Sequence, residues 1–161
     1  HNMEQPLISG IAFMKDEAQL MMLGVKDIPG IASRILGPIS DANIEVDMIV
    51  QNVAADKSTD FTFTVRREDY ERATAILESV AQEIGAREVT GDNKIAKLSI
   101  VGVGMKSHAG VATKMFKVLS EESINIQMIS TSEIKISVVI EEKYLELAVR
   151  ALHTAFGLDA S

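Results

Sequence analysis

The chain repeats itself. Shifting it by 80 positions places Gly24 on Gly104, Gly30 on Gly110, Ile31 on Val111, Ala32 on Ala112, Ile44 on Ile124, Met48 on Met128 and Ile49 on Ile129. Seven coincidences in one register mark a tandem duplication, and a repeat decides the architecture before any single residue is interpreted. The chain therefore reads as one small unit written twice.

Each copy opens on a short, strongly apolar run, Gln19 to Val25 and Lys97 to Val103, which reads as a largely buried first strand. A glycine-containing turn follows in each, Asp27-Ile28-Pro29-Gly30 and Ser107-His108-Ala109-Gly110. Next comes one helical stripe written twice: Ile31, Ala32, Ile35, Leu36 and Ile39, then Val111, Ala112, Met115, Phe116 and Leu119. Gly37-Pro38 inside the first of these predicts a kink or an early end, because proline lacks the N–H and crowds the preceding turn.

Second strands are expected over about Ile44 to Val53 and Ile124 to Thr131. Third strands show period two, with Phe61, Phe63 and Val65 alternating with polar neighbours, as do Ile134, Ile136 and Val138. The register between copies shortens there to 73, because copy one carries a polar loop, Ala54 to Asp60, expected to be exposed and mobile. Amphipathic helices close the copies, on Ala73, Ile76, Leu77, Val80 and Ile84 and on Leu145, Ala148, Val149, Leu152 and Phe156.

The βαββα order calls for a fourth strand. Copy one has a candidate in Ala86 to Thr90, whereas copy two ends within a few residues of Phe156. The apolar segment Leu7 to Met14 is expected to complete the second sheet, joined to copy one by a polar turn, Lys15-Asp16-Glu17. The expected class is α+β: two βαββαβ domains in tandem, antiparallel sheets with helices on one face, over 15–92 and over 93–161 plus 7–14.

Composition narrows function. With 47% apolar and 24% charged residues the chain reads as an ordinary globular protein, and without cysteine it has no disulfide or thiolate site and fits a reducing cytoplasm. A net charge of −7 argues against nucleic acid, which rewards a basic face. No apolar run approaches a membrane span of about 18–20 residues. His1 and Asn2, ahead of Met3, read as a remnant before the start and are set aside.

Catalytic chemistry finds no footing. Gly102-Val103-Gly104-Met105-Lys106-Ser107 begins like a dinucleotide loop, but Ser107 stands where the third glycine belongs, and Met105 before Lys106 excludes a Walker loop. His108 and His153 are far apart and have no cysteine partners, so no metal site is expected. No spacing pairs either histidine with a serine and an orienting carboxylate, and both read as surface side chains. The eight methionines read as core filler. What recurs is the turn into the first helix of each copy, where unpaired amides favour a carboxylate. Glu45, Gln51, Asn125, Gln127 and Glu133 on or beside the second strands could receive an ammonium group.

Asp27-Ile28-Pro29-Gly30-Ile31-Ala32 followed by Gln51-Asn52 resembles the first of the paired ACT domains of bacterial aspartate kinases. The run from Gly104 to Ala112, followed by Asn125-Ile126 and by Ser130-Thr131-Ser132-Glu133-Ile134, resembles the second. This resemblance spans Ile8 to Phe156 and implies ferredoxin-like ACT domains belonging to the regulatory region or separate β subunit, without the kinase part that phosphorylates aspartate from ATP. It implies a homodimer through the ACT domains, a catalytic kinase region or subunit as partner, and free lysine, threonine or both as inhibitory effectors, with no cofactor. The implied effector residues are Asp27, Gly30, Ile31, Ala32, Glu45, Gln51, Val111, Ala112, Asn125, Ile126, Ser132 and Glu133. A lysine side chain brings a second cation, for which Asp27 and Glu133 are candidates; Gln51, Asn125 and Ile126 suit threonine. Competing readings are an ACT sensor of another enzyme, an acylphosphatase-like hydrolase, for which neither turn has the needed arginine, and a dimerisation module without ligand.

Overall fold

The computed structural model describes residues 7–103 and 108–158. Elements follow in the order β1 (Leu7–Lys26), α1 (Ile31–Asp41), β2 (Val46–Val53), β3 (Ser58–Arg66), α2 (Tyr70–Ile84), β4 (Glu88–Val103), α3 (His108–Glu121), β5 (Met128–Thr131), β6 (Lys135–Glu141) and α4 (Leu145–Ala155). A short 3₁₀ turn precedes α2 and another precedes α4. The chain divides into two compact units, one over Asp16–Asn93 and the other joining the described residues up to Lys15 to those from Lys94 onward. Both boundaries fall inside strands, in β1 and in β4.

In the first unit the strand order is β2-β3-β1-β4, and in the second β1-β4-β6-β5. The ladders are antiparallel: Leu20 faces Phe63 and Ile49 faces Phe63 in the first, and Leu98 faces Val138 and Met128 faces Val139 in the second. Alternation then decides the core. Ala18, Leu20 and Met22 of β1 and Phe61, Phe63 and Val65 of β3 meet the helical stripe Ile31, Ile35 and Ile39 and the residues Ala73, Leu77 and Val80. The second core repeats the plan with Ala96, Leu98, Ile100, Ile136, Val138 and Ile140 against Val111, Met115, Leu119, Leu145, Ala148 and Leu152, and Ile11 from β1 packs against it. These are two ferredoxin-like α+β units in tandem.

Several expectations change, among them Ile134, expected on the buried face of a third strand but 51% exposed and just ahead of β6. Lys15-Asp16-Glu17 is not a turn: β1 runs unbroken through it, and Glu17 is buried within the strand. Polar residues alone do not break an extended backbone, and this segment has no proline, glycine or asparagine to force a reversal. Helix α1 does not stop at Pro38 but continues to Asp41. The lost bond is to the carbonyl of Arg34, at an exposed position near the helix end where water is within reach. The second strands start later than their sequence pattern suggests, at Val46 and Met128, and Ala109 and Gly110 lie inside α3 rather than in a turn before it.

The copy-one loop is a tight turn over 54–57, and Ser58 to Asp60 already belong to β3. It is closed by Ala54 N–H donating to Ser58 O at 2.8 Å and Lys57 N–H to Ala54 O at 3.0 Å, with Lys57 in the left-handed region at φ 67°. Asp56 accepts from the Ser58 hydroxyl at 2.7 Å and from its N–H at 3.0 Å. Those two bonds, the hydroxyl first, hold the Asp56 carboxyl below the usual carboxylate range. A depressed folded-state value means that this contribution to stability is present at neutral pH and is lost as pH falls through the acid range. Ser58→Ala is expected to move the Asp56 titration upward, read by carboxyl NMR. In the core, Phe63→Ala is expected to cost about 3–5 kcal/mol in urea unfolding, because Phe63 is wholly buried.

Candidate functional site

The turn into α1 is built by backbone geometry. Gly24 sits at φ 68° where β1 slips register against β3 between Met22 and Val25, and a Cβ there would lie 2.7 Å from Arg87 Cβ. Its N–H donates to Asp60 Oδ1 at 2.9 Å, so the bulge is pinned as the strand leaves the sheet. The chain then passes the exposed residues Lys26 to Gly30 and enters α1 at Gly30, which has φ 86° and no neighbour within 4 Å of a would-be Cβ. Glycine stands there for its conformation and not for lack of room.

Gly30 is the N-cap of α1 and provides no side-chain cap; its carbonyl accepts from Arg34 N–H at 3.1 Å, and Ile31 N–H donates to Ile28 O at 3.2 Å. The next amides, of Ala32 and Ser33, have no carbonyl one turn earlier in the helix to bond. Both residues are exposed, so the start of α1 presents uncommitted donors and the positive end of a helix dipole to solvent.

Of the residues anticipated for this copy, Asp27, Gly30 and Ala32 stand exposed together at that turn. Ile31 is 5% exposed with its side chain in the core, so only its backbone faces the turn. Glu45 precedes β2 and lies 3.4 Å from the guanidinium of Arg66, an exposed pair. Gln51 is exposed on β2, the outer strand of the unit.

In the second copy Val111 is buried in the core and Ala112 half-buried on α3; Asn125 and Ile126 lie in the link before β5; Ser132 and Glu133 form the exposed turn between β5 and β6. Residues Gly104 to Ser107, part of the glycine-rich run noted in the sequence, lie outside the described residues. Gln127 donates its N–H to Val139 O at 2.8 Å. His108, read as a plain surface side chain, proves to be involved: its Nε2 lies 2.7 Å from the carbonyl oxygen of Ser132. The partner is 24 positions away, beyond any local pattern. Among the described residues no group of three or more His, Cys, Asp or Glu is placed to hold a metal ion, and no helix is long and apolar enough to cross a membrane.

Two helices over an antiparallel sheet, with a glycine turn feeding an uncapped first helix, define an ACT-type fold, and ACT domain families match residues 20–82 and 98–156. The chain is 74% identical over 159 residues to the aspartate kinase of Pseudomonas putida, covering 99% of this chain and 39% of that protein. Solved structures agree. A chain of a crystal structure of aspartokinase alpha and beta subunits matches at TM-score 0.88 and 56% identity, covering 94% of this chain and 99% of that one. The ligand-free regulatory subunit of aspartate kinase from Thermus thermophilus matches at TM-score 0.86 and 42% identity, covering 92% and 98%. Escherichia coli aspartokinase III, solved with lysine and aspartate, shares the fold at TM-score 0.67 and 23% identity, over 92% of this chain and 33% of that one. The chain belongs to the aspartate kinase family, as its tandem ACT regulatory region.

Replacing Gly30 by alanine is expected to cost about 1–2 kcal/mol in chemical unfolding, through the left-handed backbone alone, since nothing crowds the new methyl.

Proposed function

We propose that this chain binds free lysine, threonine or both, and through them imposes feedback inhibition on an ATP-dependent aspartate kinase at the head of lysine, threonine and methionine biosynthesis. The observation that carries the reading is the uncapped start of α1 at exposed Gly30. The amides there suit the α-carboxylate of an amino acid, and Asp27 stands three residues away to receive a cation. The lysine recorded with Escherichia coli aspartokinase III supports the choice of ligand class.

The effector residues are those named from the sequence. Asp27 and Glu133 take the lysine side-chain ammonium, and Gln51, Asn125 and Ile126 take threonine. Ile31 and Val111 contribute backbone only, because their side chains are committed to the cores. The two binding domains span 15–92 and 93–161 with 7–14. The partners are a second copy of the chain and the kinase region or subunit, in the cytoplasm. The chain itself carries out no catalytic step and uses no cofactor or metal.

Dimerisation through the ACT domains draws support from the outer strands. β2 and β5 lie at the ends of the strand order, and Ile49, Val53 and Ile129 expose about half of their surface there. An open strand edge with apolar side chains invites pairing with another copy. An effector bound where two copies meet would favour one packing over another only by its differential affinity for the two.

Titration calorimetry and thermal unfolding with lysine, threonine and both test the reading, other amino acids serving as controls. At ~100 times Kd a ligand bound only by the folded chain adds roughly 2.7 kcal/mol. Loss of the lysine signal in Asp27→Ala and Glu133→Ala, with threonine binding kept, is the expected outcome; no signal from either amino acid with the unmodified chain would sink it. Separately, Ile49→Lys is expected to weaken a dimer at least tenfold in analytical ultracentrifugation, and an unchanged dissociation constant would rule out that edge.

A further inference from the structure

In each repeat a backbone bond ties the end of the first strand to the middle hairpin. In the first, Asp27 N–H donates to Lys57 O at 3.2 Å, one step beyond Lys26 opposite Ser58; in the second, Gly102 N–H donates to Ile134 O at 2.7 Å, one step beyond Val101 opposite Lys135. Lys57 belongs to the turn over 54–57, within the stretch by which copy one exceeds copy two. In the second repeat a side chain also reaches the hairpin from the helix itself, His108 Nε2 to Ser132 O at 2.7 Å. A carbonyl oxygen only accepts, so Nε2 carries the proton. The position that matches His108 in copy one is Ile28, which is 49% exposed and has no side-chain donor to give.

We infer that His108 is a positioning residue of the second repeat: its imidazole fastens the Ser132–Glu133 turn to the start of α3 and so sets where the Glu133 carboxylate stands for an incoming ammonium group. This inference rests on the effector reading above. The hairpin has ties of its own, Ser132 N–H to Lys135 O at 2.9 Å and Gly102 N–H to Ile134 O at 2.7 Å, but neither reaches α3. Ser132, Glu133 and Ile134 are all exposed, so no burial of these side chains locks the turn against the helix. One hydrogen bond then decides the orientation of a charged group that has to meet a ligand.

Calorimetric titration of the chain with lysine and with threonine, in the unmodified protein and in His108→Ala and His108→Gln, tests this. The alanine variant is expected to bind lysine about fivefold more weakly, the scale of one neutral hydrogen bond. The glutamine variant, whose amide N–H can donate to the same carbonyl, is expected to return to within about twofold. Unchanged binding in His108→Ala, or a glutamine variant that folds yet binds as poorly as alanine, would overturn the inference. If the unmodified chain binds neither amino acid, the effector reading fails by itself, and ¹⁵N NMR of the His108 ring still judges the tie. A neutral ring protonated at Nε2 with a slowly exchanging proton supports it; a ring protonated at Nδ1 refutes it.

Discussion

The burial of one aliphatic side chain at the start of each repeat's first helix governs the rest of the structure. Ile31 and Val111 begin the stripes that continue through Ile35 and Ile39 and through Met115 and Leu119, and each packs into the core of its unit. A β-branched residue fixed there by its side chain sets the axial position and rotation of the helix over the sheet. In the first repeat the backbone just before it has nowhere to go but outward, so Gly30 and the amides after it come to the surface. Apolar packing inside thus places a polar, donor-rich helix end outside. Ile31 and Val111, proposed as effector residues, could therefore serve a ligand only through their backbone, since their side chains are in the cores.

That logic also explains what the sequence made legible. Two periodicities, 3.6 in the stripes and two in Phe61, Phe63 and Val65, each report a single buried face, and a buried face is a property of consecutive residues. The duplication multiplied the signal, since a pattern seen once at Ile31 was seen again at Val111. Chain reversals were less legible. Lys15-Asp16-Glu17 looked like a turn because polar runs usually are, yet Glu17 is buried within a continuous strand, and its carbonyl accepts from the guanidinium of Arg67, 50 positions away. Pro38 looked like a stop because its cost is local, but only three residues of helix follow it.

The site divides along the same line. The exposed cluster of Asp27, Gly30 and Ala32 was readable because it is contiguous. The pairing of Glu45 with Arg66 across 21 positions was not, and it means that a ligand ammonium at Glu45 must compete with a guanidinium already there. An exposed ion pair of this kind is worth little, on the order of 0–1 kcal/mol, so the competition is winnable. Nor could His108 be separated from any other surface histidine by its neighbours in sequence.

Divergence between the copies then has a physical order to it. The copies keep what the cores require, which is why the helical stripes and the period-two strands align. They differ where the cores make no demand: α1 starts at Ile31, whereas α3 starts at His108, three residues before the matching position, and the middle turn shortens at the same time. The earlier helix start carries the His108 imidazole to within 2.7 Å of Ser132 O, while the backbone bond from the end of the first strand to the hairpin is present in both copies. A tie made by the main chain is insensitive to substitution, and a tie made by a side chain is not. The hold of α3 on the Ser132–Glu133 turn is therefore one that a single substitution at His108 can remove without disturbing either core.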